Sequence, residues 1–76
     1  MTITVNGESR EVDSGTTVAQ LVAGLGVNPQ LVAVEVNGDI LPRDRYVATG
    51  LCVGDVVEIV HMVGGGAAWR GWSDGW

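Results

Sequence analysis

The sequence predicts a two-layer α+β fold in which one short helix crosses a mixed sheet of four or five strands. Three observations predict it. Short stretches alternate polar with β-branched apolar residues and are bounded by turn dipeptides such as Asn6-Gly7 and Gly54-Asp55. One stretch alone, starting at Val18, changes to helical spacing. At 76 residues the chain has room for a single domain, since typical domains run to roughly 100–150 residues. A large self-contained enzyme with separate nucleotide and substrate domains is excluded.

Taken in order, Thr2-Ile3-Thr4-Val5 reads as a half-buried strand. Asn6-Gly7 is the dipeptide that most readily takes positive φ in a two-residue hairpin. Glu8 to Asp13 then forms a polar returning strand, with Val12 as its inward anchor. Ser14 to Thr17 supplies hydroxyls that can cap a helix. Val18, Leu21, Val22 and Leu25 stand next at i, i+3, i+4, i+7, and Asn28-Pro29 forbids continuation, so the helix has two to three turns. Val32, Val34 and Val36 mark another strand, ending in the turn Asn37-Gly38-Asp39. Ile40-Leu41-Pro42 suits a short edge strand, because proline cannot donate to a central ladder. Residues 43–50 read as an irregular connection. Val56 to Val63 is the last strand, with Val57 and Ile59 on one face and Glu58, Val60 and Met62 on the other. The helix can return the chain to lie beside the first strand, and the last strand then completes the sheet. That arrangement is the β-grasp, or ubiquitin-like, architecture.

Composition narrows the function. The chain is 46% hydrophobic and 17% charged, which does not describe a solvated, disordered polymer. Nine acidic residues against four basic ones leave a net charge of −5. All the basic residues are arginines (Arg10, Arg43, Arg45 and Arg70), so a basic patch for nucleic acid is missing and lysine Schiff-base chemistry is excluded. One cysteine, Cys52, permits no internal disulfide, and the expected compartment is the reducing cytoplasm. No apolar run approaches the about 20 residues of a membrane span, so no membrane partner is expected.

Conventional catalysis finds no footing. His61 is the sole histidine, in phase with Val57 and Ile59, and is read as the end of a packed face. Cys52 lies between Leu51 and Val53 and is read as a buried, inert thiol. The acidic residues are scattered and read as solvated surface. No catalytic or metal-ligating set is assigned.

After the last strand the character changes. Gly64-Gly65-Gly66 precedes ten residues that hold Trp69, Trp72 and Trp76, which are three of the four aromatic residues in the chain. The expected organisation is a domain over 1–63, a flexible glycine arm over 64–66, and a tryptophan-rich extension over 67–76. The tryptophans stand at i, i+3, i+7, but Gly71 and Gly75 argue against a free helix, so the extension is expected to be disordered alone. A glycine tract is commonly a linker. Directly after a strand of this pattern it also suits threading into a narrow channel of a partner, presenting its last carbonyl.

Several motifs together resemble the ThiS sulfur-carrier family, within the wider ThiS/MoaD ubiquitin-like group. They are the strand ending in Asn6-Gly7, the run from Gly15 to Leu21, Val34-Glu35-Val36-Asn37-Gly38, Leu41-Pro42-Arg43 with Tyr46, the run from Gly54 to Val60, and the glycines. The resemblance covers residues 1–66. It implies a carrier rather than an enzyme. A ubiquitin-activating-type enzyme uses ATP to adenylate the terminal glycine carboxylate, a persulfide relay replaces AMP with sulfur, and the resulting thiocarboxylate feeds thiazole synthase in thiamin synthesis. By position Gly66 carries the sulfur, with Gly65 and Gly64 in the arm. No cofactor is bound by the chain itself, because ATP belongs to the activating partner. The family docks through the exposed sheet face near the tail, where strand phase nominates Val60 and Met62 with Glu58 and Ala33.

The sequence departs from that pattern at one point. The Gly66 carbonyl is locked in an amide bond to Ala67, and an amide cannot be adenylated as a carboxylate can. Three explanations stand side by side: a precursor whose tail a peptidase removes, a carrier extended by or fused to further sequence, and a ubiquitin-like binding module that uses the tryptophan tail. Sulfur donation to another pathway, toward cysteine or a natural product, is the alternative among carriers.

Overall fold

The computed structural model describes residues 1–63 and 67–68, with Val63, Ala67 and Ala68 described by their main chain. Strands β1 (Thr2–Val5) and β2 (Glu8–Glu11) pair antiparallel across Asn6 and Gly7, whose φ values of 50° and 84° are those of a primed hairpin turn. β2 is exposed along its length, and Val12, one residue past it, is its half-buried contact with the core.

Helix α1 (Val18–Gly24) begins with a complete capping box. The Gln20 N–H donates to Thr17 Oγ1 at 3.2 Å, and the Thr17 N–H donates to Gln20 Oε1 at 2.9 Å. Val18, Leu21 and Val22 form its buried stripe. The same helix start is sewn to the long connection: Val18 N–H donates to the Thr49 carbonyl at 2.9 Å and Leu51 N–H to the Thr16 carbonyl at 2.8 Å. That connection is irregular apart from one 3-10 turn at Arg43–Arg45, yet it delivers Tyr46 and Leu51 into the core.

Strands β3 (Val32–Val36) and β4 (Asp39–Leu41) form a second antiparallel hairpin, and β5 (Val56–Val63) is the longest strand. The sheet order is β2-β1-β5-β3-β4, with β5 parallel to β1 and antiparallel to β3. This is the expected β-grasp architecture, with one topological correction. β3 does not lie beside β1, because β5 inserts between them. A central strand is covered on both edges, and β5 has the apolar residues that position demands: Val57 and Ile59 are fully buried. The insertion cannot be read locally, since β1 and β5 are separated by nearly the whole domain. A short strand β6 (Ala67–Ala68) pairs antiparallel with the end of β5, Ala67 opposite Val63 and Ala68 opposite Met62.

The core lies between α1 and one face of the sheet. Ile3, Val18, Val22, Val34, Val57 and Ile59 are at most 1% exposed, and at roughly 1.5–3 kcal/mol per buried aliphatic side chain they dominate the cohesion of the domain. Among the described residues no helix is long and apolar enough to cross a membrane.

Candidate functional site

The candidate site is the far end of β5 and the sheet face turned away from α1. Two turns fix β5 from opposite sides. Asn6 donates its N–H to the Val57 carbonyl at 2.9 Å, and its side-chain Oδ1 accepts the Ile59 N–H at 2.8 Å. Asn37 does the same on the other edge: its N–H donates to the Val56 carbonyl at 2.7 Å and its Oδ1 accepts the Val56 N–H at 2.9 Å. Both asparagines sit at positive φ, 50° and 52°, where the short polar side chain is tolerated. Asp55 completes the lower end of the strand by accepting from Asn37 Nδ2 (3.1 Å) and from the Cys52 N–H (2.8 Å). The last strand is thus held rigidly at its start, and its far end leads into the glycines.

On the outer face, alternation along β5 and the β3–β5 register gather Val56, Glu58, Val60 and Met62 with Ala33 and Glu35. Ala33 stands opposite Val60, and Glu35 directly opposite Glu58. Ile40, across from Glu35 on β4, extends the same face and is 73% exposed. Met62, Glu58 and Ala33 are half-buried. Val60 corrects the sequence expectation of an open apolar pair: it is only 5% exposed, although it lies outside the core cluster. The facing glutamates and Ile40 were not singled out from sequence, because pairing across β3, β4 and β5 depends on the register. Gly64, Gly65, Gly66, Trp69, Trp72 and Trp76 lie outside the described residues.

Two further expectations change. Cys52 is exposed, not buried. Leu51 takes the inward position, and the Cys52 N–H is tied into the turn by Asp55, which leaves the thiol outside. His61 comes after Ile59 in strand phase but is exposed, although Val32, its partner across β3, is buried. Among the described residues no group of three or more His, Cys, Asp or Glu could hold a metal ion. A groove of about 540 Å³ between β2 and α1, with Arg10, Asp13, Thr16 and Gln20 in its wall, is open and lies on the opposite side of the sheet from the outer face.

Comparison with known proteins converges on one family. The model of the ThiS family matches residues 3–66. The sulfur carrier protein ThiS of Bacillus subtilis is 44% identical over 54 residues, 71% of this chain and 80% of that one. A thiazole synthase of Magnetococcus marinus is 44% identical over 66 residues, covering 87% of this chain but 20% of the relative, so the chain spans about a fifth of that protein's length. The crystal structure of the thiamine biosynthesis protein ThiS from Geobacter metallireducens superposes with a TM-score of 0.77 at 39% identity, over 87% of this chain and 100% of that one.

Proposed function

The chain belongs to the ThiS family, and we propose that it acts as a protein-borne sulfur carrier for thiamin thiazole synthesis. The observation that carries this reading is where the family match stops. It runs through the sheet and ends at Gly66, the second of the two glycines that by resemblance form the reactive end.

The chemistry needs little from the carrier beyond a presented acyl group. A carboxylate is a poor electrophile. An adenylating partner joins it to AMP, releasing pyrophosphate from ATP, and AMP is then a good leaving group. The terminal sulfur of a cysteine persulfide attacks the acyl carbon, AMP departs, and a partner thiol cleaves the sulfur–sulfur bond to free the thiocarboxylate. In this reading ATP is bound by the partner and the carrier is a co-substrate in the cytoplasm. A thiazole synthase is the favoured acceptor, because a stretch like this chain makes up a fifth of the Magnetococcus marinus thiazole synthase. The bond between Gly66 and Ala67 must first be hydrolysed, which requires a peptidase.

Intact-mass spectrometry of the protein from its native cells, isolated without acid or strong alkali, tests this. The expected species ends at Gly66 with one oxygen replaced by sulfur, and Gly66→Ala prevents its formation while leaving the fold unchanged. Only chain that continues past Gly66, in cells making thiazole, would overturn the carrier reading.

A further inference from the structure

The outer face of the sheet presents an arrangement that the core does not explain. Val60 is 5% exposed yet stands outside the core cluster, with Ala33 opposite it and Glu58 and Met62 to either side in strand phase. Glu35 and Glu58 face each other across β3 and β5, a like-charge pair that a sheet ordinarily disfavours. Ile40 and Val56 add apolar surface, 73% and 43% exposed.

The chain itself holds a segment complementary to this face. β6 runs antiparallel to β5 and pairs Ala68 with Met62, so the described main chain at Ala68 points back along the sheet. Residues 69–76 span up to about 26 Å if extended, at roughly 3.3 Å per residue, enough to run the length of β5. They carry three tryptophans and one cation, Arg70, beside one carboxylate, Asp74. Tryptophan supplies a large apolar contact with a polar edge, and a guanidinium between two facing carboxylates relieves their repulsion.

We infer that the tryptophan segment 69–76 docks in cis on the outer face of β3 and β5, with Trp69 at Met62, Val60 and Ala33, Arg70 at the Glu35–Glu58 pair, and Trp72 and Trp76 beyond it toward Val56 and Ile40. On the carrier reading, on which this consequence rests, the segment occupies the face a partner would use until the tail is cut. The docking itself can be measured without any partner.

Because all three tryptophans lie in the segment and the remaining aromatic is Tyr46, tryptophan fluorescence of the intact chain reports this segment alone. The expected emission is blue-shifted and shielded from acrylamide, and independent of protein concentration. Met62→Asp and the double change Glu35→Lys with Glu58→Lys should each shift emission to the red and raise quenching at least twofold, with the far-ultraviolet dichroism of the fold retained. If a variant loses its fold, amide shifts of the unaltered chain on adding salt give the second readout, with Glu35 and Glu58 expected to move together with the Arg70 Nε–H. Emission like that of free tryptophan in the intact chain would overturn the proposal. So would a blue shift that disappears on dilution, which assigns the contact to a second copy, or one that every folded variant retains. Neither result bears on the sulfur chemistry, which the mass of the processed chain tests separately.

Discussion

The side-chain carbonyl of Asn6 accepts the main-chain N–H of Ile59 at 2.8 Å, joining a turn near the start of the chain to the middle of its last strand. β1 ends at Val5, so without this bond the Ile59 N–H would face a gap in the ladder. The asparagine serves two purposes at once: it adopts the positive φ that the hairpin requires, and it supplies the acceptor that the shortened strand lacks. Asn37 repeats the device at Val56.

Asn6→Gly separates those two purposes, since glycine keeps the turn conformation and removes the acceptor. A half-buried donor left unpaired costs about 1–3 kcal/mol. Urea unfolding should show a loss in that range for Asn6→Gly and a smaller one for Asn37→Gly, whose bond is exposed. Equal, negligible losses would show that water replaces both acceptors.

These bonds also mark how far the sequence could be read. The alternation in Thr2–Val5 and Val32–Val36, the Asn-Gly turns and the helix stripe at Val18, Leu21 and Val22 are local signals, and each produced the element it announced. The insertion of β5 between β1 and β3 and the face-to-face glutamates depend on pairing over long separations, which periodicity does not encode. Cys52 shows a different limit. Apolar neighbours suggest burial, but the residue sits in a turn closed by two bonds with Asp55, from the Cys52 N–H to the carboxylate and from the Asp55 N–H to the Cys52 carbonyl, and its thiol is exposed.

An exposed Cys52 thiol makes a direct prediction. Iodoacetamide should alkylate it in the folded protein at a rate close to that in denaturant, and the adduct should unfold at the same urea concentration as the free thiol. Strong protection in the native state would place the side chain inside after all. Exposure alone makes the residue modifiable and assigns it no role in catalysis.

The capping box at Thr17 and Gln20 should act as a unit. Thr17→Ala removes the acceptor for the Gln20 N–H and should cost about 1 kcal/mol, typical for a lost N-cap. Gln20→Ala removes the reciprocal bond to the Thr17 N–H. Because each bond orients the other, the double variant should lose less than the sum of the two single losses in a double-mutant cycle. Additive losses would mean that the two bonds are independent.

Tyr46 links the long connection to alkaline stability. Its ring is 4% exposed, and burial pushes the phenol above its ordinary value, with Arg43 and a main-chain hydrogen bond at Val34 opposing in part. The folded state therefore holds this proton more tightly than the unfolded chain does. Its contribution to stability is fully present below the ordinary tyrosine value near pH ~10 and is lost as pH rises from there through the raised folded value. Unfolding free energy should accordingly fall across that alkaline interval, and the fall should shrink in Tyr46→Phe, which has no proton to lose. A Tyr46→Phe chain with the same alkaline slope would shift the cause to other groups, since the phenol would then titrate alike in both states.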